Sequence, residues 1–161
     1  MKTNESAHLT RNATAETVSD APGSLITLLT DQAGLTCNTA TFDEGAAGAP
    51  VHFHTRATEF FFVVDGRLDV LVDDEVTTLG KGDFLAVPPG VKHAFAPAAG
   101  HTAQVFVGFA PGMERFDYYR LLGRVNAGEA TVQDIKDSSP VYDNHYAESA
   151  AWSGRRRSAE P

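Results

Sequence analysis

The sequence has little of several features that mark particular classes of protein. It contains a single cysteine, Cys37, so no disulfide can form within the chain. Its longest uninterrupted apolar run, residues 60–64, is far shorter than the roughly 20 residues that span a bilayer, so we expect no membrane helix. Basic residues number 13 against 21 acidic ones, and the resulting net charge of -8 argues against nucleic acid as a partner. Residues 1–6 are polar and lack the apolar stretch of a secretory signal, which predicts a cytoplasmic location.

What is present indicates one folded, mostly β domain. The 161 residues fall within the usual length of a single domain, and 42% of them are hydrophobic, so the chain can bury a core. Short apolar segments alternate with turn residues such as Asp65-Gly66. Nine segments have the length and spacing of strands: 25–30, 35–42, 51–54, 59–64, 68–72, 75–79, 84–87, 92–96 and 103–109. Many short strands joined by short connections predict an all-β sandwich or barrel.

The two ends of the chain differ in composition from the middle. Residues 1–23 have no sustained apolar period and predict an N-terminal arm, so the barrel is assigned to residues 24–110. Residues 111–161 are predicted to form short helices and a basic tail. Apolar residues recur at helical spacing up to Leu122, with Gly123 at a C-terminal cap position, and Thr131 is placed to cap a second helix.

Three histidines and one glutamate have the spacing of a metal site. His52 and His54 are two residues apart in a predicted strand, so both side chains project from one face and could bind one ion. Glu59 begins the next strand, and His93 begins a later one. Singly, each is more often an ordinary core or surface residue, but burying all four is costly unless a cation pairs them. Three nitrogens and one oxygen leave coordination positions open, as in a reactive site.

These residues lie in two motifs that resemble those of the cupin superfamily. The first, residues 45–66, has a glycine at each end, His-x-His and a glutamate; the second, residues 82–97, has a glycine, Pro-x-Gly and a histidine. The resemblance implies an all-β double-stranded β-helix, the cupin jelly-roll barrel. It also implies that one divalent transition metal per chain, which is iron, manganese, nickel, cobalt, copper or zinc, is bound by His52, His54, Glu59 and His93.

Two further segments look similar to single-domain cupins of the quercetin 2,3-dioxygenase type: residues 28–30 with Gly34, and residues 142–146 before Trp152. That resemblance implies metal-dependent oxygenation of an aromatic or polyphenolic, flavonol-like small molecule. Glu59 would be both a metal ligand and the catalytic acceptor of the substrate's hydroxyl proton. Two alternatives stay open, namely a zinc-assisted polyketide cyclase or isomerase, and a non-catalytic cupin that only binds a ligand.

Strand alternation predicts the walls of a substrate pocket and a site of self-association. Four apolar residues share a strand face with Glu59 or His93 and are expected to line the pocket: Phe61, Val63, Val91 and Phe95. An aromatic, apolar pocket suits a flat aromatic ligand. The run 60–64 is apolar on both faces and so needs a second layer or a partner, which predicts a homodimer.

Overall fold

The computed structural model describes residues 7–157 of the chain, with side chains up to residue 155. Ten strands form in that range: β1 Thr17–Ala21, β2 Ser24–Gln32, β3 Leu35–Phe42, β4 Ala49–Phe53, β5 Thr58–Val72, β6 Glu75–Gly80, β7 Phe84–Val87, β8 His93–Pro97, β9 Ala103–Ala110 and β10 His145–Tyr146. Four short helices follow the barrel strands or lie among the last of them: α1 Phe116–Asn126, α2 Val132–Asp137, α3 Ser139–Tyr142 and α4 Ala150–Arg157.

The strands form two antiparallel sheets that share the long strand β5. The first half of β5 pairs with β9 and β7, and β9 leads on through β3 and β2 to β1. The second half of β5 pairs with β8 and β6, and β8 leads on through β4 to β10. The pairing register of β5 shifts between Val63 and Asp65, where the strand passes from one sheet to the other. This curled sheet confirms the predicted cupin jelly-roll fold with short C-terminal helices.

Gly66 allows β5 to cross between the sheets. Its φ of +77° is in the left-handed region, and a Cβ atom there would lie 2.1 Å from the carbonyl oxygen of Thr102. No side chain fits in that space, so the glycine that closes the first motif is required by the close approach of two backbones.

The core lies between the two sheets and is built from alternate residues of their strands. Phe61 and Val63 of β5, with Val105 and Phe109 of β9, are at most 1% exposed. Phe95 of β8 packs against Phe61 with ring centroids 4.9 Å apart. Burying side chains of this size stabilises the fold by about 1.5–3 kcal/mol each, so this cluster holds the two sheets face to face.

The sheet begins earlier in the chain than the predicted arm allowed. Residues 17–21, placed in the arm by sequence, form β1, which pairs with β2. Val18 is 8% exposed and packs with Tyr118 and Tyr119 of α1. A single buried valine gives no apolar period, and its partners lie about a hundred residues away, so the local pattern could not indicate this strand.

The C-terminal segment also differs from its prediction in two places. Helix α1 continues through Gly123 to Asn126, because this glycine lies against β1: a Cβ atom there would be 2.7 Å from Val18 Cγ1. Residues 150–157, at the start of the predicted basic tail, form α4. Arg155 donates to Asp69 Oδ2 at 2.8 Å, which fixes this helix to β5. Residues 158–161 lie outside the described residues.

The helices within the described part of the chain are all too short or too polar to cross a membrane.

Candidate metal centre and substrate cavity

The barrel brings His52, His54, Glu59 and His93 together, and we call these four side chains the His–Glu cluster. His52 lies in β4 directly opposite His93, the first residue of β8. His54 follows β4, and Glu59 is the second residue of β5. All four are at most 5% exposed, and one ligand atom from each lies within 4.8 Å of the others.

The cluster is organised around one oxygen, Oε2 of Glu59. This atom lies 2.6 Å from His93 Nε2, 3.0 Å from His54 Nε2 and 3.8 Å from His52 Nε2. The three imidazoles therefore converge on the carboxylate with the same ring nitrogen. A site of this composition suits a divalent transition metal.

The opposite ring nitrogen of each histidine is held by the main chain. His52 Nδ1 donates to the carbonyl of Pro50 at 2.7 Å, His54 Nδ1 to that of Asp143 at 2.6 Å, and His93 Nδ1 to that of Val91 at 3.0 Å. A carbonyl oxygen only accepts hydrogen bonds, so these contacts place the proton of each neutral ring on Nδ1. Each Nε2 is left with a lone pair that points at Glu59.

This arrangement of lone pairs fits a bound cation. Nε2 of a neutral ring and a carboxylate oxygen are both acceptors, so contacts of 2.6–3.0 Å between them repel unless a positive charge lies among them. A proton on one ring satisfies one contact, whereas a single metal ion satisfies all of them. The four residues therefore fit the divalent metal that the sequence predicts, although several metals have these ligand preferences.

The pKa shifts of Glu59 and His52 agree with this geometry. Burial lowers the pKa of His93, but the neighbouring Glu59 outweighs burial and raises it, so without a metal a proton on His93 supplies the positive charge. Burial raises the pKa of Glu59, but the neighbouring His93 and the contacts with His54 outweigh burial and hold that pKa well below its usual value. Burial, reinforced by His93, lowers the pKa of His52 well below its usual value. An ionised carboxylate and a neutral imidazole are the forms that bind metals.

Asp143 fixes the loop that carries His54. Its carboxylate accepts hydrogen bonds from the backbone N–H groups of Thr55 and Arg56, each at 2.9 Å, and from the Thr55 hydroxyl at 2.7 Å. Burial raises the pKa of Asp143, but these hydrogen bonds outweigh burial and hold it at about 2. Because its carbonyl also orients His54, Asp143 couples the C-terminal segment to the His–Glu cluster.

A cavity of about 370 Å³ opens above the cluster, with His52 and Glu59 in its lining. Its size lies within the range of small-molecule sites. Six aromatic side chains line it: Phe42, Phe95, Phe109, Tyr118, Tyr119 and Tyr146. Residues 111–146, which we call the cap segment, supply the three tyrosines together with Arg115 and Asn144. The barrel thus supplies one side of the cavity, and the cap segment closes the other.

The four residues expected to line the substrate pocket are placed differently from one another. Phe95 does line the cavity. Phe61 and Val63 are fully buried in the core, and Val91 packs against that core, outside the cavity lining. Alternation places Phe61 and Val63 on the face of β5 that points into the barrel, as expected. Other core side chains pack around them there, so they do not line the cavity.

Sequence reasoning did not find the polar residues of the cavity. Asn38, Arg115 and Asn144 all line it and are at most 3% exposed. They come from β3, the start of α1 and the turn before β10, so no local spacing links them. The only available signal was the segment 142–146 before Trp152, whose resemblance to other cupins did not indicate a role for any one residue.

Comparison with known proteins agrees with the fold. The family model of the cupin domain matches residues 38–108. Quercetin 2,3-dioxygenase from Bacillus subtilis (strain 168) is 32% identical over 82 residues, which are 50% of this chain and 24% of that protein. The polyketide synthase CurC from Streptomyces cyaneus is 27% identical over 90 residues, or 56% of each chain. The matched stretches thus span less than two thirds of either relative.

One solved structure resembles the fold of this chain over most of the chain's length. The RmlC-like cupin from Shewanella frigidimarina NCIMB 400 superposes with a TM-score of 0.61 and 28% identity, covering 70% of this chain and 96% of that one. The family match contains all four members of the His–Glu cluster, and the shared architecture is the curled antiparallel sheet described above. Residues 38–108 form a cupin domain.

Proposed function

We propose that this protein is a metal-dependent cupin oxygenase that acts on an aromatic or polyphenolic, flavonol-like small molecule. The observation that carries the proposal is the convergence of three Nε2 lone pairs and one carboxylate oxygen beside an aromatic cavity. The similarity to quercetin 2,3-dioxygenase over half of the chain supports oxygenation as the reaction class.

In this proposal His52, His54, His93 and Glu59 hold one divalent metal ion, whose identity is open among iron, manganese, nickel, cobalt, copper and zinc. When bound, such an ion lowers the pKa of a hydroxyl group beside it and, if redox-active, supports oxygen chemistry. The main-chain carbonyls of residues 50, 91 and 143 keep the three rings in the tautomer that binds a metal.

Glu59 is the proposed catalytic residue as well as a ligand. Its carboxylate lines the cavity and is ionised, so it can accept a proton from a substrate hydroxyl placed there. The aromatic walls position a flat ring by stacking and edge contacts and exclude water around it. Phe109 lies 5.4 Å from the His54 ring, edge to face, so the apolar wall reaches the cluster itself.

A second candidate is a metal-assisted polyketide cyclase or isomerase, in which the ion acts only as a Lewis acid. It is supported by the 27% identity to the polyketide synthase CurC over 56% of the chain. The same cluster suits zinc, which has no redox chemistry. A non-catalytic ligand-binding cupin is the third candidate, and it is less favoured because all four ligand positions are filled.

One experiment separates these candidates. The protein is purified without chelator, its metals are measured by elemental analysis, and oxygen uptake is followed with flavonol and simpler phenolic substrates. We expect about one transition-metal ion per chain and substrate-dependent oxygen consumption. Turnover that continues unchanged under argon would favour the cyclase, and a stoichiometric metal with no reaction on phenolic or polyketide substrates would favour a binding protein.

We also propose that the protein is a homodimer, as the apolar run 60–64 predicts. Phe62, Val64 and Phe84 are 42%, 36% and 62% exposed on the outer face of β5 and β7, where a second copy would cover them. Light scattering should report about twice the 17.2 kDa of one chain, and a 17.2 kDa particle would contradict the dimer. The cytoplasmic location stays a prediction, to be tested by cell fractionation.

A further inference from the structure

Arg115 places a positive charge inside the cavity. It precedes α1, is 3% exposed and contributes to the cavity lining. Its Nη1 donates to the carbonyl of Tyr142 and its Nη2 to Oδ1 of Asn144, both at 3.1 Å. Its Nε is buried and has no acceptor among residues 7–155. A buried donor without a partner costs about 1–3 kcal/mol, so the described residues leave the hydrogen-bonding capacity of this guanidinium partly unused.

No carboxylate in the described part of the chain forms an ion pair with Arg115, whose hydrogen-bond acceptors are a carbonyl and an amide oxygen and whose polar neighbours include the Tyr119 hydroxyl. Its other close neighbours are aromatic rings, whose centroids lie 4.9 Å away for Phe109, 4.5 Å for Tyr118 and 5.7 Å for Tyr119. Burial raises the pKa of both tyrosines, so they stay neutral phenols. The guanidinium therefore packs against aromatic faces and has no ion-pair partner within residues 7–155.

Two amide side chains add further donors to the same cavity. Asn38 Oδ1 accepts from the Tyr119 hydroxyl at 2.9 Å, and Asn144 Oδ1 accepts from Arg115. Their Nδ2 groups, by contrast, donate to no atom of the described residues. We call Arg115, Asn38 and Asn144 the donor wall. Each of the two amide oxygens already accepts one hydrogen bond, so this wall offers mainly hydrogen-bond donors to whatever fills the cavity.

The other charged residues of the cavity do not change this balance. Glu59 belongs to the cluster, where it faces the histidines. Asp20 accepts from the Ser24 hydroxyl at 2.7 Å, and burial raises its pKa. Lys136 is exposed and adds positive charge. The cavity therefore has an excess of positive charge and of donors away from the cluster.

We infer that the substrate is an aromatic acid whose carboxylate binds the donor wall while its ring lies against Phe109, Tyr118 and Tyr119. A guanidinium matches the two oxygens of a carboxylate better than the single oxygen of a phenol. Phe109 touches both the Arg115 guanidinium and the His54 ring, so about one aromatic ring separates the carboxylate site from the His–Glu cluster. This inference names the substrate class of the proposed reaction and rests on that function.

The test measures binding to the metal-loaded protein by calorimetry, with naphthoate as the probe and its neutral amide, naphthamide, as the matched control ligand. We expect the wild type to bind naphthoate at least about 10-fold more tightly than naphthamide. Arg115→Met should weaken naphthoate binding roughly 10- to 100-fold and leave naphthamide binding almost unchanged. Arg115→Lys keeps the charge but not the planar pair of donors. Its affinity for naphthoate should lie between those of the wild type and Arg115→Met.

Arg124→Met is the matched control, because it removes a positive charge from an exposed position on the same helix. It should bind naphthoate as the wild type does. Arg115→Met also leaves the Tyr142 carbonyl and Asn144 Oδ1 without their donor, so a lower thermal midpoint is expected whatever the ligand is. Retained naphthamide binding is therefore the readout that separates loss of the carboxylate site from loss of the fold.

Equal affinity of the wild type for naphthoate and naphthamide would overturn the inference. This comparison uses no variant, so it does not depend on a variant folding. Naphthoate binding that survives Arg115→Met would also overturn it, because the carboxylate would then bind elsewhere, for example at the metal. These outcomes are distinct from failure of the proposed function. If no oxygen uptake is seen, the oxygenase proposal is wrong, but the preference for naphthoate over naphthamide can still hold. If that preference is absent, oxygen uptake can still be observed.

Discussion

The His–Glu cluster and the cap segment form opposite sides of one cavity, but they are built in different ways. The cluster joins strands of both sheets, the main chain holds one nitrogen of each ring, and its four ligand atoms converge as acceptors that one cation can satisfy. The cap segment reaches the cavity through a helix and turns, and within the described residues it leaves a buried donor, Arg115 Nε, without an acceptor. The comparison teaches that the reacting end of the site is built to bind a cation, whereas the recognising end offers donors to the ligand.

The largest expected effect tests the cluster. Glu59→Ala should lower turnover by at least about 100-fold, because it removes the proposed proton acceptor, while the three histidines retain part of the metal. Turnover by the assay above and metal content by elemental analysis are measured together. Glu75→Ala, which removes an exposed carboxylate from β6, is the control. Full turnover in Glu59→Ala would remove Glu59 from the mechanism.

A smaller effect should come from the residue that joins the two sides. Asp143→Asn keeps the shape but loses the charge that receives the N–H groups of Thr55 and Arg56. The loop carrying His54 should loosen, and metal affinity should fall roughly 10- to 100-fold. Competition with a chelator measures this, with the exposed Asp137→Asn as control. Unchanged metal affinity would mean that the cluster holds its shape without the cap segment.

The smallest effect should be confined to the cap segment. Tyr119→Phe removes the hydroxyl that donates to Asn38 at 2.9 Å, which should lower stability by about 1 kcal/mol. It should raise KM a few-fold and leave the metal content unchanged. Tyr142→Phe is the control, since the Tyr142 hydroxyl makes no hydrogen bond within the described residues. Loss of metal in Tyr119→Phe would show that metal binding by the His–Glu cluster depends on the cap segment.

The sequence predicted the barrel and the convergence of the cluster because both depend on short-range rules. Alternation along β4 places His52 and His54 on one face, and a strand pairing then brings His93 opposite His52. The same rule placed Phe61 and Val63 correctly on an inner face. It could not say which part of the inside is core and which is cavity, because that depends on what the cap segment covers.

Features that depend on distant contacts were not predictable. Strand β1 is stabilised through Val18 by tyrosines of α1, and Gly123 lies within a helix because that helix presses on β1. Arg115 follows no motif, and its importance arises only from burial without a counter-ion. For β1 and Gly123 the decisive neighbour is far away in the chain, and for Arg115 burial is set by the whole cavity, so a local pattern does not indicate these features.

The anchoring of the three imidazoles has a consequence for how such a protein can change. Each ring is oriented by a peptide oxygen, and every amino acid supplies one, so no single replacement at positions 50, 91 or 143 deletes the acceptor itself. At positions 50 and 91 the ring orientation therefore does not depend on the side chain, whereas at position 143 the carboxylate also holds the loop that carries His54. The cavity walls can diverge to suit new ligands while the coordinating nitrogens keep their aim.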